Sequence, residues 1–244
     1  MFNLLSGEYS VFRIARADFP AAAWHSVFFL PFFARTAILG KTTKVRTIMP
    51  NFDPLTYRYS SRRNVVYAKN GVCCTSVPLG AQVGLDVLKN GGNAVDAAVA
   101  MAGAMPLLEP TGNGLGSDCF ALVWIEKEKK LYGLNASGVA PMALSADEVR
   151  AKGFDAVPEE GWLPTMVPGA PAGWAALNAR FGTKPLSELF APAISYAENG
   201  YAVPVNVGKL WARDSKRIAR VMAQDPAPYE YWWKSFMKPD GSPY

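Results

Sequence analysis

Histidine is all but missing from this sequence: His25 is the only one in 244 residues. A catalytic triad that turns on an imidazole, or a metal cage built from several, therefore cannot be assembled here. Cysteine is nearly as scarce. Cys73 and Cys74 are adjacent and Cys119 stands alone, which is not the even, regularly spaced set of a disulfide framework. A reducing compartment is the simpler reading, and a cytoplasmic location is expected. No apolar run is long enough to span a bilayer, because the stretch over 20–33 is short and is interrupted by His25 and Pro31. A membrane partner is accordingly not expected. Charge is also sparse, at 18% of residues, and the net +5 is unevenly placed. Residues 1–48 hold six Lys/Arg against two acids, which leaves 19 basic and 18 acidic side chains from Met49 onward. A nearly neutral domain lacks the basic footprint of a nucleic-acid binder, so no nucleic acid is expected as partner. Nothing in the pattern calls for a metal or another cofactor.

Half of the residues are apolar, enough to bury the core of one large domain. The first 48 differ in character from the rest. Their basic, aromatic composition superficially resembles a signal peptide, but the apolar run starts well inside the chain and no small-x-small cleavage site follows it. The reading preferred here is that 1–48 is an extension outside the domain, disordered or untranslated, with Met49 as the start and 49–244 as the domain. Secretion or periplasmic export follows only if 1–48 acts as a signal.

From Asn64 the pattern becomes regular. Asn70-Gly71 between two β-prone runs, 65–69 and 72–75, predicts a hairpin. Ser76 as N-cap and Pro78 in the first turn predict a helix to about Asn90, with Leu79, Val83, Val87 and Leu88 on one stripe. Gly91-Gly92 ends it, and Asn93 caps an Ala-rich second helix from Ala94 to Met105 whose small side chains allow a neighbour to come close. Pro106 is expected to stop that helix. A glycine-rich loop follows over 109–116, then a strand over 119–125 that is apolar on both faces and should be covered on both. A charged turn over 126–130 leads to a returning strand over 131–134. Helices are expected at about 172–180 and 186–198, each ended by a glycine, whereas 225–244 shows no clear period.

Several residues invite chemical readings. Gly114 and Gly116 could cradle a phosphate, but such a loop needs a helix or a Lys-Ser/Thr pair after it, and here a strand follows, so a tight turn is the better reading. Cys73 in a strand, with no base in view, reads as a buried structural thiol. Asp96 lies three positions after Asn93 and reads as support for a helix start, while Asp86 reads as solvated.

Two long ordered motifs carry a resemblance. The run over 84–100, Gly-Leu-Asp-Val-Leu-Lys-Asn-Gly-Gly-Asn-Ala-Val-Asp-Ala-Ala-Val-Ala, resembles the opening helix pair of the gamma-glutamyltranspeptidase family. The run over 109–120, Glu-Pro-Thr-Gly-Asn-Gly-Leu-Gly-Ser-Asp-Cys-Phe, resembles the glycine loop and strand that follow it there. The likeness continues through 135–141, 167–174 and 192–200, and so covers roughly Phe52 to the end. It implies an α+β fold: a partial αββα sandwich of the N-terminal nucleophile hydrolase type, with the carboxy-terminal half missing. In that family a precursor cleaves itself and exposes a threonine at the start of a second, small subunit, whose freed amine acts as base for its own hydroxyl. The resemblance assigns no catalytic residue to this chain, which is expected to be inactive alone. It implies a small-molecule gamma-glutamyl or acyl-amide substrate, with the small subunit as partner. The family's Arg that grips the donor α-carboxylate corresponds to Ser137, and a hydroxyl cannot reproduce that bidentate clamp. Asn135-Ala-Ser-Gly138 resembles an acylase-like branch, whose members keep an Arg before Ala-Pro where this chain has Val139. Two classes of function stay open: part of an amide-cleaving acyltransferase or glutathione hydrolase, or a non-catalytic half-fold that serves as a binding subunit.

Overall fold

The computed structural model describes residues 66–243 together with two short strands, β1 (Arg13–Ile14) and β2 (His25–Phe28). The expected boundary between 48 and 49 lies outside the described residues. Helix α1 (Pro78–Lys89) begins on a proline, whose fixed φ suits a first turn and whose missing N–H would have had no partner there. The expected cap is displaced: Val77 is the N-cap, and the Ser76 hydroxyl donates instead to Glu109 Oε2 at 2.6 Å. Val83 and Val87 are buried as expected, with Leu79 and Leu88 packed at the margin. Among the described residues the hairpin expected at Asn70-Gly71 is not formed: Lys69 and Asn70 make a bend, and Val72 contributes only a single bridge.

Gly91, at φ +83°, turns the chain into α2 (Ala94–Leu108). Asn93 Oδ1 accepts from the backbone N–H groups of Val95 and Asp96, and Asp96 Oδ2 accepts from the Asn93 N–H at 2.9 Å. This reciprocal capping box satisfies donors that the helix itself cannot pair. Asp96 is fully buried and also receives the N–H groups of Thr183 and Lys184 and the Thr183 hydroxyl, so one carboxylate fastens a distant turn to the head of α2. Pro106 does not stop α2. It removes one hydrogen bond, but Leu108 is fully buried, the Glu109 N–H still bonds to Met105 O, and the Tyr201 hydroxyl donates to Leu107 O at 2.6 Å. Tertiary anchoring of the last turn outweighs the local breaker.

Strands β3 (Cys119–Ile125) and β4 (Lys130–Ala136) pair antiparallel from Cys119 opposite Ala136 to Ile125 opposite Lys130, and β2 pairs antiparallel with the other edge of β3. The sheet order is β1-β2-β3-β4. Lys129, at φ 52°, completes the turn between β3 and β4. One face of β3, formed by Cys119, Ala121, Val123 and Ile125, is buried in the core that α2 shares with α4 (Ala170–Phe181). The other face, with Phe120, Leu122 and Trp124, is only half-buried, so the expectation of cover on both faces is not met by the described residues.

Helix α5 (Leu186–Asn199) lies along α2, with the Phe190 ring directly over Gly103. Helices α3 (Ala146–Ala151), α6 (Val205–Met222) and α7 (Glu230–Phe236) complete a mixed helix-and-sheet architecture. The Trp211 ring of α6 packs on Trp232 and Phe236 at 5.6 and 5.3 Å. Among the described residues, no helix is long and apolar enough to cross a membrane.

Candidate functional site

Three loops meet at the carboxy-terminal end of β4. The first is the glycine loop ahead of β3, where Gly112 and Asn113 N–H groups bond to Glu109 O and the Ser117 N–H bonds to Gly114 O. This is the tight turn expected of it. Glu109 is buried, and its Oε2 accepts from Ser76 and from Asn113 Nδ2 at 3.0 Å, tying the loop to the entry of α1.

The second loop leaves β4 and carries Ser137. Asn135 Oδ1 accepts the Ser137 N–H at 2.9 Å, a local turn that Asn side chains favour. Asp118 Oδ1 accepts the next N–H, that of Gly138, at 2.8 Å. The third loop precedes α4: the Val167 N–H bonds to Val139 O at 3.0 Å, and the Gly169 and Ala170 N–H groups both reach Ser117 O, at 3.2 and 2.7 Å. Two of the glycines are required by this closeness. A Cβ on Gly138 would stand 2.1 Å from Val167 O, and one on Gly169 would stand 2.2 Å from Ala136 O. The half-buried Ser137 is thus held from both sides through its backbone neighbours, and what it presents is a neutral hydroxyl.

Of the other candidates, the thiols are unsuited to attack. Burial, reinforced by the neighbouring Cys74, pushes Cys73 up to about 12, and burial pushes Cys119 up to about 11. Both stay protonated at neutral pH, and the thiolate is the nucleophilic form. Asp86 pairs loosely with Lys89 at 3.4 Å near the surface, far in role from the buried Asp96. Among the described residues, no group of three His, Cys, Asp or Glu side chains is placed to hold a metal ion. Sequence reasoning had not singled out Asp118, Val167 or Gly169. Their contacts span 20 or more positions along the chain, and no local period reports such contacts.

Comparison with known proteins finds relatives over most of the described residues. The model of the family described as Gamma-glutamyltranspeptidase matches residues 80–244. The glutathione hydrolase proenzyme of Bacillus subtilis (strain 168) is 30% identical over 171 residues, which is 68% of this chain but 29% of that protein. The crystal structure of cephalosporin acylase from Bacillus halodurans superposes with a TM-score of 0.70 at 51% identity, covering 79% of this chain and 35% of the acylase chain. The gamma-glutamyltranspeptidase of Helicobacter pylori superposes with a TM-score of 0.62 at 32% identity, covering 74% of this chain and 50% of that one. The chain thus spans half or less of the length of each of these relatives. Matched over more than half of its own residues, with the loops around Ser137 inside the match, the chain belongs to the gamma-glutamyltranspeptidase family, near its acylase-like members.

Proposed function

We propose that this chain supplies the first helix and sheet layers of an αββα sandwich, and that with a small subunit it forms an enzyme cleaving acyl-amide or gamma-glutamyl bonds. In this reading the nucleophile is a threonine outside residues 1–244. Its α-amine takes the proton from its own hydroxyl, the hydroxyl oxygen attacks the amide carbonyl, and the amine leaves. Water or an acceptor amine then resolves the acyl-enzyme. The chain alone carries no catalytic residue and is inactive. Its contribution is the floor of the donor site, where Ser137 stands in place of the carboxylate-gripping Arg of glutathione-cleaving members.

The observation that carries the reading is the composition of the three converging loops. Residues 109–118, 137–145 and 163–169 contain no Lys or Arg, and their backbones hold Ser137 among them. A donor whose α-carboxylate must be clamped finds a hydroxyl here and no guanidinium. Losing one charge-assisted contact costs about 1.5–3 kcal/mol, or one to two orders of magnitude in specificity. Glutathione is therefore handled poorly and simpler acyl amides better. To test this, the complete gene product is assayed on glutathione and on gamma-glutamyl and simple acyl anilides, with and without Ser137→Arg. The expected result is poor glutathione turnover, partly recovered by the Arg. Full glutathione activity in wild type, unchanged by the substitution, would sink the assignment of Ser137. Absence of turnover on every amide would instead favour the non-catalytic half-fold.

A further inference from the structure

The feature that the site leaves unused is the outer face of α6. Lys209, Arg213, Lys216 and Arg220 recur at spacings of four, three and four residues, and all four are exposed. At about 100° per residue they fall within a sector of roughly 60°, a straight row about 16 Å long. The buried residues Val207, Ser215 and Ile218 lie on the opposite side of the helix. Of the four cations, only Arg213 has a charged partner among the described residues, the adjacent Asp214.

The row has a counterpart of opposite sign on the same surface. Segment 154–162 carries the exposed acids Asp155 and Glu159 together with Phe154, Val157 and Trp162, the last 64% exposed. The segment is fastened beside α6: Glu160 pairs with Arg217, one helical position round from the row, and also accepts the Tyr229 hydroxyl at 2.7 Å, while Tyr229 receives the Gly161 N–H at 3.1 Å. Charge is segregated between the two regions. Residues 205–238 hold seven Lys/Arg against three acids, whereas residues 66–204 hold nine against thirteen.

We infer that this face docks a second copy of the chain about a two-fold axis, each basic row of α6 lying on the partner's 154–162 segment. A two-fold contact needs a patch complementary to itself, which is what a basic row flanked by its own acidic segment provides. Surface ion pairs alone are worth little. The exposed Trp162, Phe154 and Val157 supply apolar anchors against the aliphatic stems and cationic heads of the row, as aromatic residues do at the centres of interfaces.

The test uses two charge-reversed proteins, Lys209→Glu with Lys216→Glu, and Asp155→Lys with Glu159→Lys. All four positions are exposed, and circular dichroism checks that each variant is folded. Sedimentation equilibrium is run at about 10 mM and about 0.5 M salt, between which the screening length falls from roughly 30 Å to a few ångström. Wild type is expected to dimerise at low salt and to dissociate at high salt. Each variant alone should be monomeric, because its row then faces like charge, and an equimolar mixture of the two should restore a dimer. A wild type that stays monomeric at low salt overturns the inference. So does a dimer or aggregate that persists in both variants, or a mixture that fails to pair. If the monomer instead binds duplex DNA or anionic vesicles, and Lys209→Glu with Lys216→Glu abolishes this, the face belongs to that partner and the inference fails.

Discussion

At the scale of single residues, burial decides what a side chain can do. Cys73 Sγ sits beside Gly84, and desolvation raises its thiol to about 12, with the Cys74 neighbour adding to the shift. An unfolded thiol titrates near about 8.5. Between those values the unfolded chain sheds a proton that the folded chain keeps, so the thiol's contribution to stability is intact below the unfolded pKa and is lost as pH rises through the folded one. Denaturation midpoints should therefore fall from about pH 8.5 upward, and Cys73→Ala should flatten that alkaline limb. Iodoacetamide at neutral pH should label the exposed Cys74 first and reach Cys73 only on unfolding. Prompt labelling of Cys73 would show a thiolate and revive it as a nucleophile. The strand expected at Cys73 is not there: the thiol is half-buried and lies outside the named strands. The double duty of Asp96 was only half legible, since its capping partner is three residues away but Thr183 is 87.

At the scale of elements, caps and glycine turns made most helices readable, whereas an end held by distant contacts was not. The Asn93 cap and the glycine turns marked α2, α4 and α5 to within a few residues. The end of α2 was placed too early because Pro106 is a strong local breaker, and nothing near it announces Tyr201 or the burial of Leu108. Helix α6 was overlooked although its signal is local, with Val207, Trp211, Ser215 and Ile218 recurring near the helical period between cations. The Ala-rich sequence of α2 foretold close approach, and Gly103 is one place where it occurs. A Cβ there would lie 2.4 Å from the Phe190 ring. Gly103→Ala should thus cost about 1–3 kcal/mol through overpacking, although alanine is the better helix former by about 1 kcal/mol. Thermal unfolding would check this, with Phe190→Leu expected to restore part of the loss in the double variant. An additive double variant would mean that the two residues do not meet.

For the whole molecule, the open question is the second face of the sheet. The alternation of β3 puts Cys119, Ala121, Val123 and Ile125 into the core and leaves Phe120, Leu122 and Trp124 half-buried, with Leu131 of β4 exposed opposite Trp124. The sequence showed a strand apolar on both faces but could not say what covers the second, which the described residues leave half-buried. In an αββα sandwich it is the other sheet, packed about 10 Å away. Leu122 then becomes a discriminating probe. It stands at the middle of β3 opposite Gly133, so it has no large cross-strand neighbour on β4 to shelter it. In residues 1–244 alone, Leu122→Asn should change stability by less than about 1 kcal/mol, since the side chain is only half removed from water. In the complete protein of the proposed sandwich the same change would leave an amide buried between two sheets, and about 2–4 kcal/mol should be lost. Matched urea titrations of the two proteins, each with and without the substitution, measure both costs. A cost that is equally small in both would mean that no second sheet lies on this face, and the sandwich assignment would fail even if the enzyme were active.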